Sequence, residues 1–308
     1  MATTQKNFLL AAAFVLVVVG TYLAAQAFWF VPRSLMVREI NVQSPQWNGP
    51  PLRVALVSDI HGDRFHMPIA RIKSLGDSVA SLKPDIVLLG GDYTGGHFAR
   101  SGLPGSRREN RTPAENAFEA QIILALNTFK APLGVFAVMG NHDCWWDCNE
   151  VRRLFSQTDV EFLENAAFEV KRPNSSFWVV GVEDGQTQKP DFALAAANVP
   201  TRVDVLTLVH NPGLFRWPTN QAALQFSGHS HGGQVRFPLI GAPVRMSRYT
   251  EETVDQPLVK DERVLMVTTG VGAIGLPVRF GVPPEILLVT ISNGAVTEAK
   301  AKRRKPLK

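Results

Sequence analysis

The stretch RVALVSDIH, Arg53 to His61, decides the fold. Its apolar, β-branched opening, Arg53 to Ser58, reads as a buried strand, and Asp59-Ile-His61 stands at that strand's carboxyl end. Working outward, Ile69, Ile72, Leu75, Val79 and Leu82 recur at helical spacing between Met67 and Leu82, with Pro84 just beyond. Ile86–Leu89 is a second short buried strand, closed by Gly90-Gly91-Asp92. Pro113 to Lys130 reads as a helix that begins with proline. Val135–Val138 is a third strand, closed by Gly140-Asn141-His142-Asp143. Repeated strand–helix units of this kind predict an α/β fold with a mainly parallel sheet. Such sheets bind ligands at the carboxyl ends of their strands, so motifs distant in sequence converge there.

The second half is richer in strands. These are predicted over Ala167–Lys171, Phe177–Val182, Val205–Val209, Leu224–Ser227, Val264–Thr268 and Ile286–Ser292. His210 follows the third of them, and Gly228-His229-Ser230-His231 follows the fourth. A short helix is expected over Glu150–Ser156, and an edge strand plus loop over Ser34–Pro51. One continuous domain accounts for the whole stretch, since no linker or internal repeat divides it.

Taken singly, each polar residue has an ordinary explanation. An aspartate at a strand end is usually a turn or cap residue, and a lone histidine is usually a satisfied polar group. Five separate strand ends carrying carboxylate, amide or imidazole are a different matter. Asp59, His61, Asp92, Asn141, His210, His229 and His231 are the donor types that hold hard-to-borderline divalent metals. Two such metals side by side point to hydrolysis of a phosphate ester.

Five blocks occur in order: Asp59-x-His61, Gly91-Asp92, Gly140-Asn141-His142-Asp143, His210 and Gly228-His229-Ser230-His231. They resemble the signature of the calcineurin-like metallophosphoesterases over roughly Arg53 to Ser292. The stretches GNHDCWWD, LVHNP and GHSHGGQVRFP resemble its membrane-anchored bacterial branch. That branch includes UDP-2,3-diacylglucosamine pyrophosphohydrolases of lipid A synthesis and broad phosphodiesterases. The resemblance implies a four-layer α/β/β/α sandwich with two divalent ions, manganese, iron or zinc. It places metal one on Asp59, His61, Asp92 and His231, and metal two on Asp92, Asn141, His210 and His229. A hydroxide between them would attack phosphorus in a phosphodiester or pyrophosphate. His142 would stabilise the developing charge or protonate the leaving oxygen. Asp143 would orient His142, or simply shape the turn. Cys144 and Cys148 depart from the branch, which often has an aromatic and a glycine there.

Phe8 to Val31 is uncharged and long enough to span a bilayer, with Phe28-Trp29-Phe30 suited to the interface and Pro32 as a stop. The competing reading is a signal peptide cleaved near Ala25-Gln26-Ala27. The apolar run continues past that point, which favours an uncleaved single-pass anchor in a bacterial inner membrane. The expected organisation is therefore an anchor over 1–33, a phosphoesterase domain over 34–298 and a basic tail over 299–308.

The net charge is +5, but six positive charges fall in the last nine residues and leave the remainder at −1. A near-neutral body argues against nucleic acid as partner. The tail is a disordered solubilising end or a contact for anionic lipid. With an anchor, the expected partners are membrane lipid and a membrane-borne phosphate ester, UDP-2,3-diacylglucosamine being the named candidate. Its rivals are a nucleotide or nucleic-acid phosphodiesterase of the same fold and a non-catalytic scaffold. Arg100, Arg107, Arg108 and Arg111 would guide an anionic substrate or lie in a solvated loop. Trp145 and Trp146 would wall a pocket, meet lipid or pack in the core. The two cysteines are too few for a disulfide framework; an oxidising compartment would allow them to bond, but their spacing does not show suitable geometry, and unpaired thiols beside the site are the expectation.

Overall fold

The computed structural model describes residues 2–95, 107–216, 224–295 and 305–306. The Arg53 run lies at the centre of a seven-stranded sheet. Its members are β1 (Met36–Ser44), β2 (Leu52–Val57), β3 (Ile86–Leu89), β4 (Val135–Ala137), β5 (Glu161–Phe162), β12 (Glu285–Asn293) and β13 (Lys305–Pro306), in the order β13-β1-β12-β2-β3-β4-β5. The steps β2 to β5 are parallel, as the strand–helix alternation predicts, while β12 runs antiparallel to β2. A second sheet holds β6 (Ala166–Arg172), β7 (Ser175–Val182), β8 (Asp204–Val209), β9 (Leu224–Ser227), β10 (Leu258–Lys260) and β11 (Arg263–Val267), ordered β10-β11-β9-β8-β7-β6. Both sheets are mixed, and together they form an α/β sandwich.

Period-two alternation along each strand sorts the core. Val54, Leu56, Ile86, Leu88 and Phe136 face the second sheet and meet Phe177, Val179, Leu206, Leu208 and Phe226 there. Ala55, Val57, Val87, Leu89 and Ala137 point the other way. They are covered by α2 (Ile69–Ser81), α3 (Pro113–Ala125) and α4 (Asn141–Phe155). The outer face of the second sheet has thinner cover: the one-turn α5 (Phe192–Ala195) and coil over Val180, Val182 and Val209. The apolar stripe Ile72, Leu75 and Val79 is the buried face of α2. Thr112 and Glu115 form a reciprocal capping box before Pro113 at the start of α3.

Two sequence readings change. The strand expected at an edge, β1, pairs with β12 over nine residues on one side and with β13 on the other. Most of the basic tail lies outside the described residues, but Lys305–Pro306 are that β13 pairing. Gly140-Asn141-His142-Asp143 opens a helix rather than a turn: Gly140 is the N-cap of α4, which runs to Phe155 and so absorbs the short helix expected at Glu150.

At the N-terminus, α1 (Ala2–Ala25) continues through a π-helical turn, Gln26–Phe30, and a 3₁₀ turn, Val31–Arg33. The span Thr4–Arg33 is long and apolar enough to cross a membrane, and none of its most apolar stretch is buried by the rest of the chain.

Candidate metal centre

Every predicted ligand sits just past the carboxyl end of a central strand. Asp59 and His61 follow β2, Asp92 follows β3, Asn141 and His142 follow β4, His210 follows β8, and His229 and His231 follow β9. All seven candidate ligands are buried, six of them at 2 % exposure or less, although they come from both sheets. Five hold left-handed backbone conformations: Asp59, His61, Asp92, His229 and His231, with φ between 43° and 65°. Non-glycine residues rarely adopt this region, and clusters of them mark sites where geometry outweighs local comfort. The sharp turn re-aims each side chain away from its strand and into a common space. Glycine is obligatory beside them at Gly140, where an added Cβ would overlap the Asp92 carboxylate.

Three groups of donor atoms result, each within 4.8 Å of one another: Asp59, His61 and His231; Asp92, His210 and His229; and His61, Asp92 and His142. The Asp92 carboxylate lies between the first two. Its Oδ2 is 3.6 Å from His61 Nε2 and 3.2 Å from His210 Nε2. His231 Nε2 is 3.4 Å from Asp59 Oδ1, and His229 Nδ1 is 3.2 Å from His210 Nε2.

The donor set fits a pair of divalent cations. The Nδ1 of His61 faces the Thr94 carbonyl at 3.2 Å, and the Nδ1 of His210 faces the Gly90 carbonyl at 2.7 Å. A carbonyl only accepts, so each Nδ1 donates and each Nε2 is left to bind a cation, the outer-shell arrangement usual for metal-ligating histidine. The Asn141 Oδ1 and His231 Nδ1 are buried with no hydrogen-bond partner among the described residues. A buried polar atom without a partner is costly unless something satisfies it. The electrostatics agree. Burial pushes the Asp59 carboxyl up to about 7, with His210 partly opposing. Burial, aided by His142, drives His61 down to about 3, and burial with His210 drives His229 down to about 4. His210 alone goes the other way: burial opposes its charge, but the adjacent Asp92 carboxylate holds it up to about 10. Two buried carboxylates among imidazoles that, His210 apart, are neutral form a site short of positive charge.

His142 lies beside the His61 ring, edge to face, with centroids 4.6 Å apart, and against Trp145 at 4.5 Å. Its backbone N–H donates to Asp92 Oδ1 at 2.8 Å. Among the described residues Asp143 makes no hydrogen bond to the His142 ring. Its carboxylate accepts from the backbone N–H groups of Asp92, Tyr93, Thr94 and Gly140 and from the Thr94 hydroxyl. It fastens the β3 loop to the start of α4, because its place in the first helical turn points it back at those amides.

The chain belongs to the calcineurin-like phosphoesterase family. The family model matches residues 52–233, which hold every ligand block. The chain is 30% identical over 261 residues to the phosphodiesterase YaeI of Escherichia coli K12, covering 79% of this chain and 83% of that one. It is 25% identical to an uncharacterized metallophosphoesterase of Aquifex aeolicus, covering 91% and 98%. It is 24% identical to the UDP-2,3-diacylglucosamine pyrophosphatase LpxG of Chlamydia muridarum, covering 77% and 83%. The phosphoesterase domain and its metal-binding triads make this a metal-dependent hydrolase.

A groove of about 900 Å³ adjoins the site, lined by Arg107, Arg108, Arg111, Trp145, Trp146 and Thr187. The arginines are engaged: Arg111 in a buried pair with Glu119, Arg108 with Asp147 and Glu150, and Arg107 with Glu109. Arg100 lies outside the described residues. Trp146 is core, its Nε1 donating to Asn116 at 2.9 Å, whereas Trp145 is half-buried against His142. The cysteines are not unpaired thiols. Cys144 and Cys148 form a disulfide in this wall, with Cα atoms 4.2 Å apart. Residues four apart share a helix face, and extended backbone at Asp147 breaks α4 between them and lets them close.

Sequence reading missed Asp184 and Gln186. Both follow β7, the same strand-end position that flagged the ligands. Asp184 is buried, and the Gln186 amide is 3.0 Å from His229 Nε2, steadying that ring.

Proposed function

We propose that this is a membrane-tethered phosphodiesterase or pyrophosphatase acting on a lipid-borne phosphate ester. The observation that carries the reading is Asp92 standing between two histidine-bearing triads, the position of a bridging carboxylate. Bound there, two divalent cations supply Lewis acidity toward phosphoryl oxygens and lower the pKa of water. Asp59, His61, Asp92 and His231 would hold one, and Asp92, Asn141, His210 and His229 the other. His142, next to this cluster, donates an N–H to the charge that develops on the phosphate or its leaving oxygen. Burial keeps its pKa below the usual histidine value, so it enters as the neutral imidazole. Asp143 keeps Asp92 and His142 in register through the backbone. The half-buried Trp145 forms the groove wall beside the reacting phosphate.

The Thr4–Arg33 helix supports an anchor, and tethering favours substrates of the same bilayer. The likeness to LpxG supports UDP-2,3-diacylglucosamine as the named candidate in lipid A synthesis, with manganese as the first metal to try. A second reading, hydrolysis of a lipid phosphodiester on the oxidising face of the membrane, is favoured by the Cys144–Cys148 bond. Disulfides persist on that face and are rare on the reducing side.

The test is turnover by detergent-purified protein of UDP-2,3-diacylglucosamine beside a generic aryl phosphodiester, with manganese and with chelator. Fast, chelator-sensitive cleavage of the nucleotide lipid supports the first reading. Cleavage of the diester alone removes that substrate and keeps the chemistry. Loss of neither on chelation, or turnover of neither across several metals, overturns the metallohydrolase reading.

A further inference from the structure

The segment after the last ligand block folds into a tight hairpin that buries almost nothing at its tip. Phe237 and Gly241 exchange two backbone hydrogen bonds of 3.0 Å, and Pro238-Leu239-Ile240 forms the turn between them. Leu239 is 108% exposed and Ile240 74%, and Leu239 holds a left-handed conformation at φ 68°. A bulky aliphatic residue in that region is a strained choice, and here it serves only to push two apolar side chains into the surroundings. Water is a poor environment for them, and exposed apolar projections of this kind mark interaction surfaces.

The base of the hairpin shows what the surroundings are. Phe237 packs on Phe280 with ring centroids 5.6 Å apart, and Arg236 N–H donates to the Phe280 carbonyl at 2.8 Å. The neighbouring Arg279 N–H donates to the carbonyl of Ala27, in the N-terminal helix, at 2.9 Å. Ala27 lies six residues before Arg33, or ~9 Å along a helix. The interfacial layer on each side of a bilayer is roughly 5–8 Å deep. The hairpin's support therefore touches the helix at the level of Phe28, Trp29 and Phe30, all exposed, with the Arg33 guanidinium 3.6 Å above the Trp29 ring. That is the depth at which aromatic rings and arginines settle in membranes.

A second apolar projection is tied to the same stretch of the N-terminal segment. Phe65, 84% exposed, lies in the loop that follows His61. That loop is tied down by Arg71, which donates to the His66 carbonyl at 2.6 Å and to the Pro32 carbonyl at 3.0 Å. One apolar projection thus leaves the chain four residues after His61, and the other six residues after His231. Both are braced on residues 27–32.

We infer that the Phe237–Gly241 hairpin, together with Phe65, is a membrane-seating rim that inserts into the headgroup layer of the bilayer crossed by the N-terminal helix. The inference rests on the anchor reading above and deepens it. Two contacts besides the helix fix the tilt of the domain, so the loops carrying His61 and His231 sit at the membrane surface. Aliphatic side chains at the headgroup boundary gain by partial burial in acyl chains.

The test uses the full chain in vesicles containing doxyl-labelled lipid, with a fluorophore on one introduced cysteine at a time. The native cysteines are paired and do not compete for label. Leu239→Cys is the probe, Val17→Cys marks the helix, and Lys130→Cys, on an exposed surface loop, marks water. Quenching of the Leu239 probe several-fold above the Lys130 probe is expected. A quenched Val17 probe with an unquenched Leu239 probe overturns the rim and leaves the anchor. Quenching of neither overturns both. As a second readout, Leu239→Asp with Ile240→Asp should lower turnover of a vesicle-borne phosphodiester by about 10-fold or more, from the lost burial of two aliphatic side chains. Turnover of a soluble aryl diester in detergent should stay unchanged. Equal loss on both substrates overturns the rim. Quenching without any lipid hydrolysis sinks the substrate reading and leaves the rim standing.

Discussion

The Nε2 atoms of His61 and His231 lie 3.1 Å apart in a fully buried pocket, with Asp59 and Asp92 alongside. Two imidazole nitrogens that both present lone pairs at this distance repel unless a proton or a cation stands between them. His231→Asn should therefore cost metal affinity by more than the roughly 10- to 100-fold typical of supporting residues. Metal content after dialysis measures this, and retention of two metals per chain would remove His231 from the ligand set.

His142 stands next to the ligands, and the role proposed for it is in the chemistry. His142→Gln should retain both metals while kcat falls about 10²- to 10⁴-fold, the range for a lost acid–base group. Parallel metal analysis and kinetics on one preparation separate the two effects. Loss of metal in step with activity would make His142 a ligand.

Cation loading should release protons. Asp59, at about 7, is part-protonated at neutral pH, and His210, at about 10, is protonated. Both must lose the proton to bind a cation, whereas His61 and His229 are already neutral there. Both relevant pKa values are raised, so apparent metal affinity rises as pH increases from 6 to 9. Calorimetry in two buffers of different ionisation enthalpy reads the released protons directly, and a buffer-independent heat would contradict the assignment.

Asp143→Ala strips an acceptor from four backbone N–H groups at once. Each buried donor left without a partner costs about 1–3 kcal/mol, so destabilisation of at least about 3 kcal/mol is expected in denaturant melts. Asp143→Asn should recover part of it. A variant that melts normally yet turns over slowly would give Asp143 a direct part in catalysis instead.

The Cys144–Cys148 bond is checked by alkylating the protein before and after reduction. Only the reduced sample should gain two alkyl groups on the peptide containing Trp145. Reduction should also loosen the Trp145 wall next to His142, read as a higher KM with metal content unchanged.

The central strands were legible because each is a short, mainly apolar run, and the site was legible because a polar donor follows each run. Ile86–Leu89 and Leu224–Ser227 emerge with the boundaries their sequences predict. Where that signal is weak, reading failed. The two-residue β5 and β13 are held by pairing with neighbours and not by any pattern of their own. The Cys144–Cys148 bond depends on extended backbone at Asp147, which no spacing rule contains. The Arg38–Glu285 pair, buried at 2% and 0%, joins residues 247 apart and is invisible until β1 and β12 lie side by side. Asp184 and Gln186 obeyed the strand-end rule, but their block carries no histidine and belongs to none of the five motif blocks.

The left-handed backbone at Asp59, His61, Asp92, His229 and His231 has a practical consequence for dissecting the enzyme. Alanine at any of these positions changes two things at once: it removes a donor and places a residue ill suited to that conformation. Asparagine, aspartate and histidine are the side chains that tolerate it best. An alanine scan would therefore inflate the apparent worth of these five ligands, though not of Asn141 or His210, by a conformational penalty of up to about 1–2 kcal/mol. Swaps among asparagine, aspartate and histidine would hold that penalty nearly constant and report the chemistry alone.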